Sequence, residues 1–250
     1  MTDDSPDPPP AVSVHLTPRQ RHLIRDQTGH SVSSSLHESV AQETRCTFGG
    51  IPLRVPRGVS VPSATTERLL HAAIQSASAF LRPTVVDVGT GCGAIALGVA
   101  NALPRASVIA TDVSAVALRA ARANRARLKL RNVRFAHGSL LDRLPRRLGG
   151  NVAVIVGNIP YVPPRLADAV ERTFPEGAPI GTGKDGLGLV RELADTARKF
   201  LARGGSLILE LADFQWPVVG EELVRLGYEA PEQQEHEADV AVAGRVIWPG

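Results

Sequence analysis

Val85-Val86-Asp87-Val88-Gly89-Thr90-Gly91-Cys92-Gly93-Ala94 is the stretch on which the fold of this chain turns. An apolar strand runs into a glycine-rich turn, and the turn runs into Ala94, Ile95, Leu97, Val99 and Ala100, the apolar positions of a helix. Glycine adopts positive φ without a Cβ penalty and lets a ligand approach the backbone closely. The helix start adds N–H donors and a positive dipole end. A second apolar strand, Ser107 to Thr111, ends at Asp112, whose carboxylate at the strand tip is placed to accept both hydroxyls of a ribose. Glycine turn plus acid make a nucleoside-binding constellation; a tight turn of an ordinary α/β protein is the plainer reading.

Farther along, the apolar run Val152-Ala153-Val154-Ile155-Val156 leads into Asn158-Ile159-Pro160-Tyr161. A buried strand therefore delivers an amide, a proline-fixed turn and an aromatic ring to the mouth of a sheet. The side-chain carbonyl of Asn158 can accept hydrogen bonds from an NH2 group. Pro160 fixes its own φ and so pre-sets the loop. Tyr161 offers a flat face for stacking an amide or a base. The competing reading is an Asn-Pro turn that merely punctuates the chain.

Gly89 to Ala94 also satisfies the loose G-x-G-x-x-G/A pattern of dinucleotide sites, which keeps NAD in view. Two features favour S-adenosylmethionine (SAM). Asp87 brings a carboxylate to the end of the first strand, suited to a ligand with cationic groups, and SAM has no pyrophosphate. The Asn-Ile-Pro-Tyr loop has no part in a dinucleotide site.

These motifs together resemble class I SAM-dependent methyltransferases, and more narrowly the HemK/PrmC family, which methylates a glutamine side-chain nitrogen of peptide-chain release factors. The resemblance runs from about Phe48 to Ile247. It takes in Phe48-Gly49-Gly50-Ile51-Pro52-Leu53, Val61-Pro62 and Thr66-Glu67 upstream. Downstream it takes in Gly183-Lys184-Asp185-Gly186-Leu187 and Gly204-Gly205-Ser206-Leu207-Ile208-Leu209-Glu210. It implies an α/β fold with a Rossmann-like, mostly parallel sheet, an antiparallel last strand and a small N-terminal helical and β-hairpin extension. It implies SAM contacts at Asp87, Gly89, Thr90, Gly91, Cys92, Gly93, Asp112, Val113, Ser139, Leu140 and Asn158. Catalysis falls to Asn158, Pro160 and Tyr161, and the methyl acceptor to Asn158, Ile159, Pro160, Tyr161 and Glu210. No metal is expected. The chain departs from the family at Ile159, where the motif has proline, and at Ser63-Ala64-Thr65, where it has Arg-Pro-Glu. It departs again at Gly138-Ser139-Leu140, where the family has an acid. A release factor is the expected partner, with a small molecule or amino acid derivative as the alternative. A nucleic-acid amino group and an inactive SAM-binding scaffold rank below these.

The rest of the chain is read around that core. Its 250 residues, 43% of them hydrophobic, suffice for one good core. The organisation expected is a disordered tail over 1–14, an extension with helix and hairpin over 15–80, and the methyltransferase domain over 81–250. One helix is expected at Thr17–Gln27 and another at about Thr65–Phe80. Strands and helices then alternate through Thr84–Val88, Ala94–Leu103, Ser107–Thr111, Ala115–Leu128, Val133–Ala136 and Val152–Val156. Helix Leu187–Ala202, strand Ser206–Leu211, helix Trp216–Leu226 and a closing pair of strands, Tyr228–Gln234 and Val240–Ile247, complete the pattern. The Pro- and Gly-rich loop from Pro160 to Asp185 is long for a compact domain, which points to a substrate lid. Two cysteines, Cys46 and Cys92, make no disulfide framework. No run of membrane-spanning length and no cleavable leader is visible, so a cytoplasmic setting is expected. The net charge of +3 is uneven, with Arg119, Arg122, Arg125, Arg127, Lys129, Arg131 and Arg134 crowded together. A solvated helix face is preferred over nucleic-acid binding, with Val116, Ala120, Ala123 and Ala126 turned inward.

Overall fold

A computed structural model describes residues 43–167, 180–234 and 241–250. The tail over 1–14, the helix expected at Thr17–Gln27 and the middle of the Pro160–Asp185 loop lie outside the described residues.

The described part opens with a hairpin, β1 (Thr44–Phe48) and β2 (Ile51–Val55), joined by Gly49-Gly50. Helix α1 (Ala64–Ala77) follows, capped at Ser63. Then come β3 (Thr84–Val88), α2 (Ala94–Ala102), β4 (Ser107–Asp112), α3 (Ala115–Arg127), β5 (Val133–His137) and β6 (Val152–Gly157). Helix α4 (Gly188–Ala197), β7 (Leu201–Ala212), α5 (Trp216–Arg225), β8 (Glu232–Gln234) and β9 (Ala241–Trp248) close the fold. The seven strands of the main sheet lie in the order β5-β4-β3-β6-β7-β9-β8. Pairing is parallel from β5 to β7, and β9 and β8 join antiparallel.

Strand character follows from burial. Every residue of β6 is buried, as expected for a central parallel strand covered on both faces. One layer packs the hairpin, α1, α2 and α3 against one face of the sheet through Leu53, Leu69, Leu70, Leu97 and Val108. The other packs α4 and α5 against the opposite face through Leu193, Leu207, Trp216 and Leu223. Hairpin and α1 thus share a single core with β3 and α2.

The strand order reverses at β3: the chain builds outward through β4 and β5, then returns to place β6 on the other side of β3. The crevice at the carboxyl ends of β3 and β6 is the topological switch point, where sheets of this kind bind ligands.

Three expectations need correction. The helix expected to run to Ala202 ends at Ala197, because Leu201 already pairs with Val152 in β7. An irregularity between Val152 and Val154 then resets the register so that Ser206 faces Val154. The inward stripe of α3 is Ala117, Leu118, Ala120, Ala121 and Asn124. Val116 is 40% exposed, and Ala123 and Ala126 are exposed too. Leu118 offers more apolar surface than the alanines and sets which side turns inward. The first of the closing strands is only Glu232–Gln234.

Candidate active site

The glycine turn is held by the strand beside it. The N–H groups of Gly89 and Thr90 both donate to the Thr111 carbonyl, at 2.9 and 3.0 Å. The Gly91 N–H donates to Oδ2 of Asp112 at 2.9 Å. Gly93 has φ of 90°, and a Cβ there would lie 2.9 Å from Leu97 Cδ1 and 3.2 Å from Ala121 Cβ. Both the conformation and the packing of α2 on α3 therefore call for glycine. Cys92 is 1% exposed, and burial pushes its thiol up to about 12, which removes it as a nucleophile.

Asp87 lies 1% exposed at the end of β3. Its Oδ2 accepts from Thr90 Oγ1 at 2.6 Å and from the Ala96 N–H at 3.0 Å. The carboxylate thus fastens the turn to the first turn of α2. Burial raises its pKa to about 6, against the pull of these two hydrogen bonds. Asp112, at the tip of β4, accepts from the Ser114 N–H through Oδ1 at 2.8 Å. Val113 beside it is 68% exposed. The Leu140 carbonyl accepts from Thr111 Oγ1 at 2.8 Å, which draws Ser139 and Leu140 over the end of β4. Leu140 has φ of 40°, a conformation that costs a leucine energy.

The Asn-Ile-Pro-Tyr segment leaves β6 directly beside this turn. A Cβ on Gly89 would lie 3.4 Å from Ile159 Cγ2 and 3.7 Å from the Asn158 carbonyl oxygen. Ile159 is 4% exposed and packs on the glycine turn, while Pro160 is half-buried. Asn158 donates through Nδ2 to Glu210 Oε2 at 2.8 Å and to Thr66 Oγ1 at 3.2 Å. The Tyr161 hydroxyl donates to Glu210 Oε1 at 3.0 Å. Burial, reinforced by the charge and hydrogen bond of Glu210, holds the Tyr161 phenol well above its ordinary pKa, so it remains a donor. Tyr161 is 5% exposed and Glu210 1% exposed, so both lie beneath the cleft surface.

Two residues of this network were missed from sequence. Thr66 sits in the first turn of α1, where its hydroxyl also accepts from the Ser63 N–H at 3.2 Å. Gln215 donates to the carbonyls of Tyr161 and Asp185, at 2.9 and 3.1 Å. Nothing in their spacing announces this; the Ser63-to-Thr66 interval signals only a helix start. Gln215 helps return the far end of the long loop to the motif, where Val162 bridges Ile180. Arg191 braces Asp185 and Glu222 together and holds the Asp185 carboxyl down at about 2.

Other histidine and tryptophan side chains stand apart. His71 is exposed on α1. Trp216 is buried and Trp248 meets Tyr228 edge-on at 5.5 Å, so both pack. His236 and Glu237 lie outside the described residues. Among the described residues no cluster of side chains is arranged to hold a metal ion, and no helix is long and apolar enough to cross a membrane.

Known proteins resemble this chain. The family profile described as a methyltransferase domain matches residues 85–175. A release factor glutamine methyltransferase of Clostridium acetobutylicum is 31% identical over 81% of this chain and 71% of its own length. The chain belongs to the HemK/PrmC family. A family member from Deinococcus radiodurans, also a release factor glutamine methyltransferase, is 41% identical over 73% of this chain and 65% of its own length. A 4-amino-L-phenylalanine/4-methylamino-L-phenylalanine methyltransferase of Streptomyces pristinaespiralis is 34% identical over 67% of this chain and 59% of its own length. The chain spans about three-fifths of the length of the first curated relatives it matches. The fold extends beyond the family. A T. thermophilus 16S rRNA N2 G1207 methyltransferase, solved with AdoMet and guanosine, superposes with a TM-score of 0.60 at 16% identity, over 82% of this chain and 50% of that one.

Proposed function

We propose that this HemK/PrmC protein is a SAM-dependent methyltransferase that transfers a methyl group to the side-chain amide nitrogen of a glutamine in a peptide-chain release factor. The observation that carries the reading is the contact between the Gly89 turn and the Asn158–Tyr161 segment, which brings a nucleoside cradle and an amide-recognising side chain to one crevice.

The cradle suits SAM better than a dinucleotide. The Ala96 N–H, a donor near the start of α2, is already taken by Asp87. A carboxylate there opposes a pyrophosphate and favours a cation. In this reading Asp112 receives the ribose hydroxyls, Val113 and Leu140 flank the adenine, and Ser139 meets its edge. The turn Gly89-Thr90-Gly91-Cys92-Gly93 lets the ligand lie against bare backbone.

SAM supplies a methyl group on a cationic sulfur; as the N–C bond forms, the S–C bond breaks with its electron pair left on sulfur, and the nitrogen releases one proton to solvent. The chain's share is alignment. An amide nitrogen is a poor nucleophile because its lone pair is delocalised. Asn158 Oδ1 accepts one N–H of the acceptor, and a backbone carbonyl of Ile159 or Pro160 accepts the other, which steers the lone pair toward the methyl group. Holding two reactants in line accounts for on the order of 7–11 kcal/mol of barrier lowering, so no strong base is required. Tyr161 and Ile159 set the floor and wall of the pocket from beneath. The cytoplasm is the setting this substrate implies.

The relative acting on 4-amino-L-phenylalanine supports a second reading, an arylamine or amino acid as acceptor, with the same Asn158 chemistry. Labelled SAM incubated with a bacterial release factor separates the two. Label on a factor glutamine, lost with Asn158→Ala while SAM still binds, is the expected result. An unlabelled factor beside a labelled amine would transfer the assignment to the second reading.

A further inference from the structure

We infer that Glu210 is a positioning residue, holding the Asn158 amide in the single orientation that presents Oδ1 to the methyl-accepting nitrogen. The inference deepens the N-methylation reading and rests on it.

An asparagine amide has nearly the same shape after a half-turn about its last bond, and only its hydrogen-bond partners decide which end faces which way. Here the deciding partner is Glu210, whose two oxygens both accept in this network. Glu210 Oε2 lies 2.8 Å from Nδ2, and the second Nδ2 proton is directed at Thr66 Oγ1, 3.2 Å away. Turning the amide over would set Oδ1 against Glu210 Oε2 and forfeit the hydrogen bonds that Nδ2 gives to Glu210 and Thr66. Both amide protons are directed at Glu210 and Thr66, so the end of the amide turned away from them is its carbonyl. An acceptor nitrogen bearing a hydrogen meets it as a donor.

Glu210 is itself fixed. Its other oxygen accepts from the buried Tyr161 hydroxyl at 3.0 Å. The register of β6 with β7 sets Gly157 beside Leu209, which brings the residues that follow, Asn158 just past the end of β6 and Glu210 within β7, to the same end of the sheet. At 1% exposure the carboxylate acts on the reaction through the amide it orients.

The test has an arm that needs no methyl acceptor. In SAM-bound protein labelled with 15N at asparagine, the Asn158 NH2 resonance, assigned by its loss in Asn158→Ala, should shift toward that of a freely solvated amide in Glu210→Gln. The neutral amide that replaces the carboxylate tolerates either flip. An unmoved resonance would overturn the inference. The second arm is a double-mutant cycle on release-factor methylation. Glu210→Gln should lower kcat by about 100-fold with SAM affinity held within about threefold. In an Asn158→Ala background it should add almost nothing, because both changes remove one function. Losses that multiply would give Glu210 a role of its own and overturn the assignment. Should Glu210→Gln fail to fold, Tyr161→Phe is read in the same resonance assay, where loss of the hydroxyl frees Glu210 Oε1 and must still move the Asn158 signal. A shifted resonance in a protein that leaves the release factor unlabelled upholds the positioning role and refutes only the substrate.

Discussion

Two acids in the crevice carry opposite burdens. Asp112 stands half-exposed at the tip of β4 and already receives the Gly91 and Ser114 N–H groups. Replacing it with alanine removes the proposed ribose acceptor and loosens the turn. Calorimetry should show SAM binding weakened by about 1.5–3 kcal/mol, and unchanged affinity would remove Asp112 from the site. Asp87 is buried, and its pKa is raised from 3.8 to about 6. An acid whose folded pKa lies above its unfolded one holds its proton more tightly when folded. Its presence therefore works against folding as pH rises between those values, and the penalty is level above them. Asp87→Asn does not ionise. The stability difference between the two proteins should drift toward the variant by on the order of 3 kcal/mol over that window and then flatten. Urea midpoints measured from about pH 4 to 8 report this, and parallel profiles would contradict it.

Elements show where sequence reading succeeds and where it stops. The glycine turn, the strand tips at Asp112 and Asn158, and the α/β alternation are all local signals, and each landed within a few residues of its place. The helix expected through Ala202 overran because Leu201 and Ala202 continue an apolar pattern that helix and strand share. The inward face of α3 begins at Ala117 and Leu118 rather than at Val116, a one-residue rotation that a run of small apolar residues does not fix. The links that complete the site are long-range: Asn158 to Thr66 spans 92 positions and Asn158 to Glu210 spans 52. Only strand register and the docking of α1 create them, and neither leaves a periodic trace. The start of α1 tests one such link. Ser63 Oγ accepts from the Thr66 N–H at 3.2 Å. Ser63→Ala should cost about 1 kcal/mol of stability and lower turnover as well, since Thr66 Oγ1 loses its 3.1 Å contact with Ser63 Oγ and keeps only the Ser63 N–H to hold its rotamer against Asn158. A thermal melt and a labelled-SAM assay on the same preparation check both halves, and full turnover in a destabilised variant would uncouple cap from site.

For the whole molecule, turn, strand tips and motif belong to one folded unit, so ligand binding should register as global stabilisation. At a SAM concentration 100 times its Kd the gain is about 2.7 kcal/mol, or roughly 5–10 °C in Tm for a chain of this size. NAD at the same concentration should leave the melt unmoved, and a larger shift with NAD would reassign the cradle. The sheet also has an outer border at β5. Asn132 turns its carbonyl toward β4, where the Val108 N–H binds it; the next carbonyl, of Val133, accepts instead from Arg125 Nη1 at 3.0 Å. The same guanidinium rests 5.8 Å from the centre of the Phe135 ring. One arginine of the basic cluster thus occupies a border that would otherwise template the addition of a foreign strand. Arg125→Ala should turn a well-behaved solution into one whose light-scattering mass climbs with concentration, so that shelf life, rather than chemistry, is where this cation would be missed.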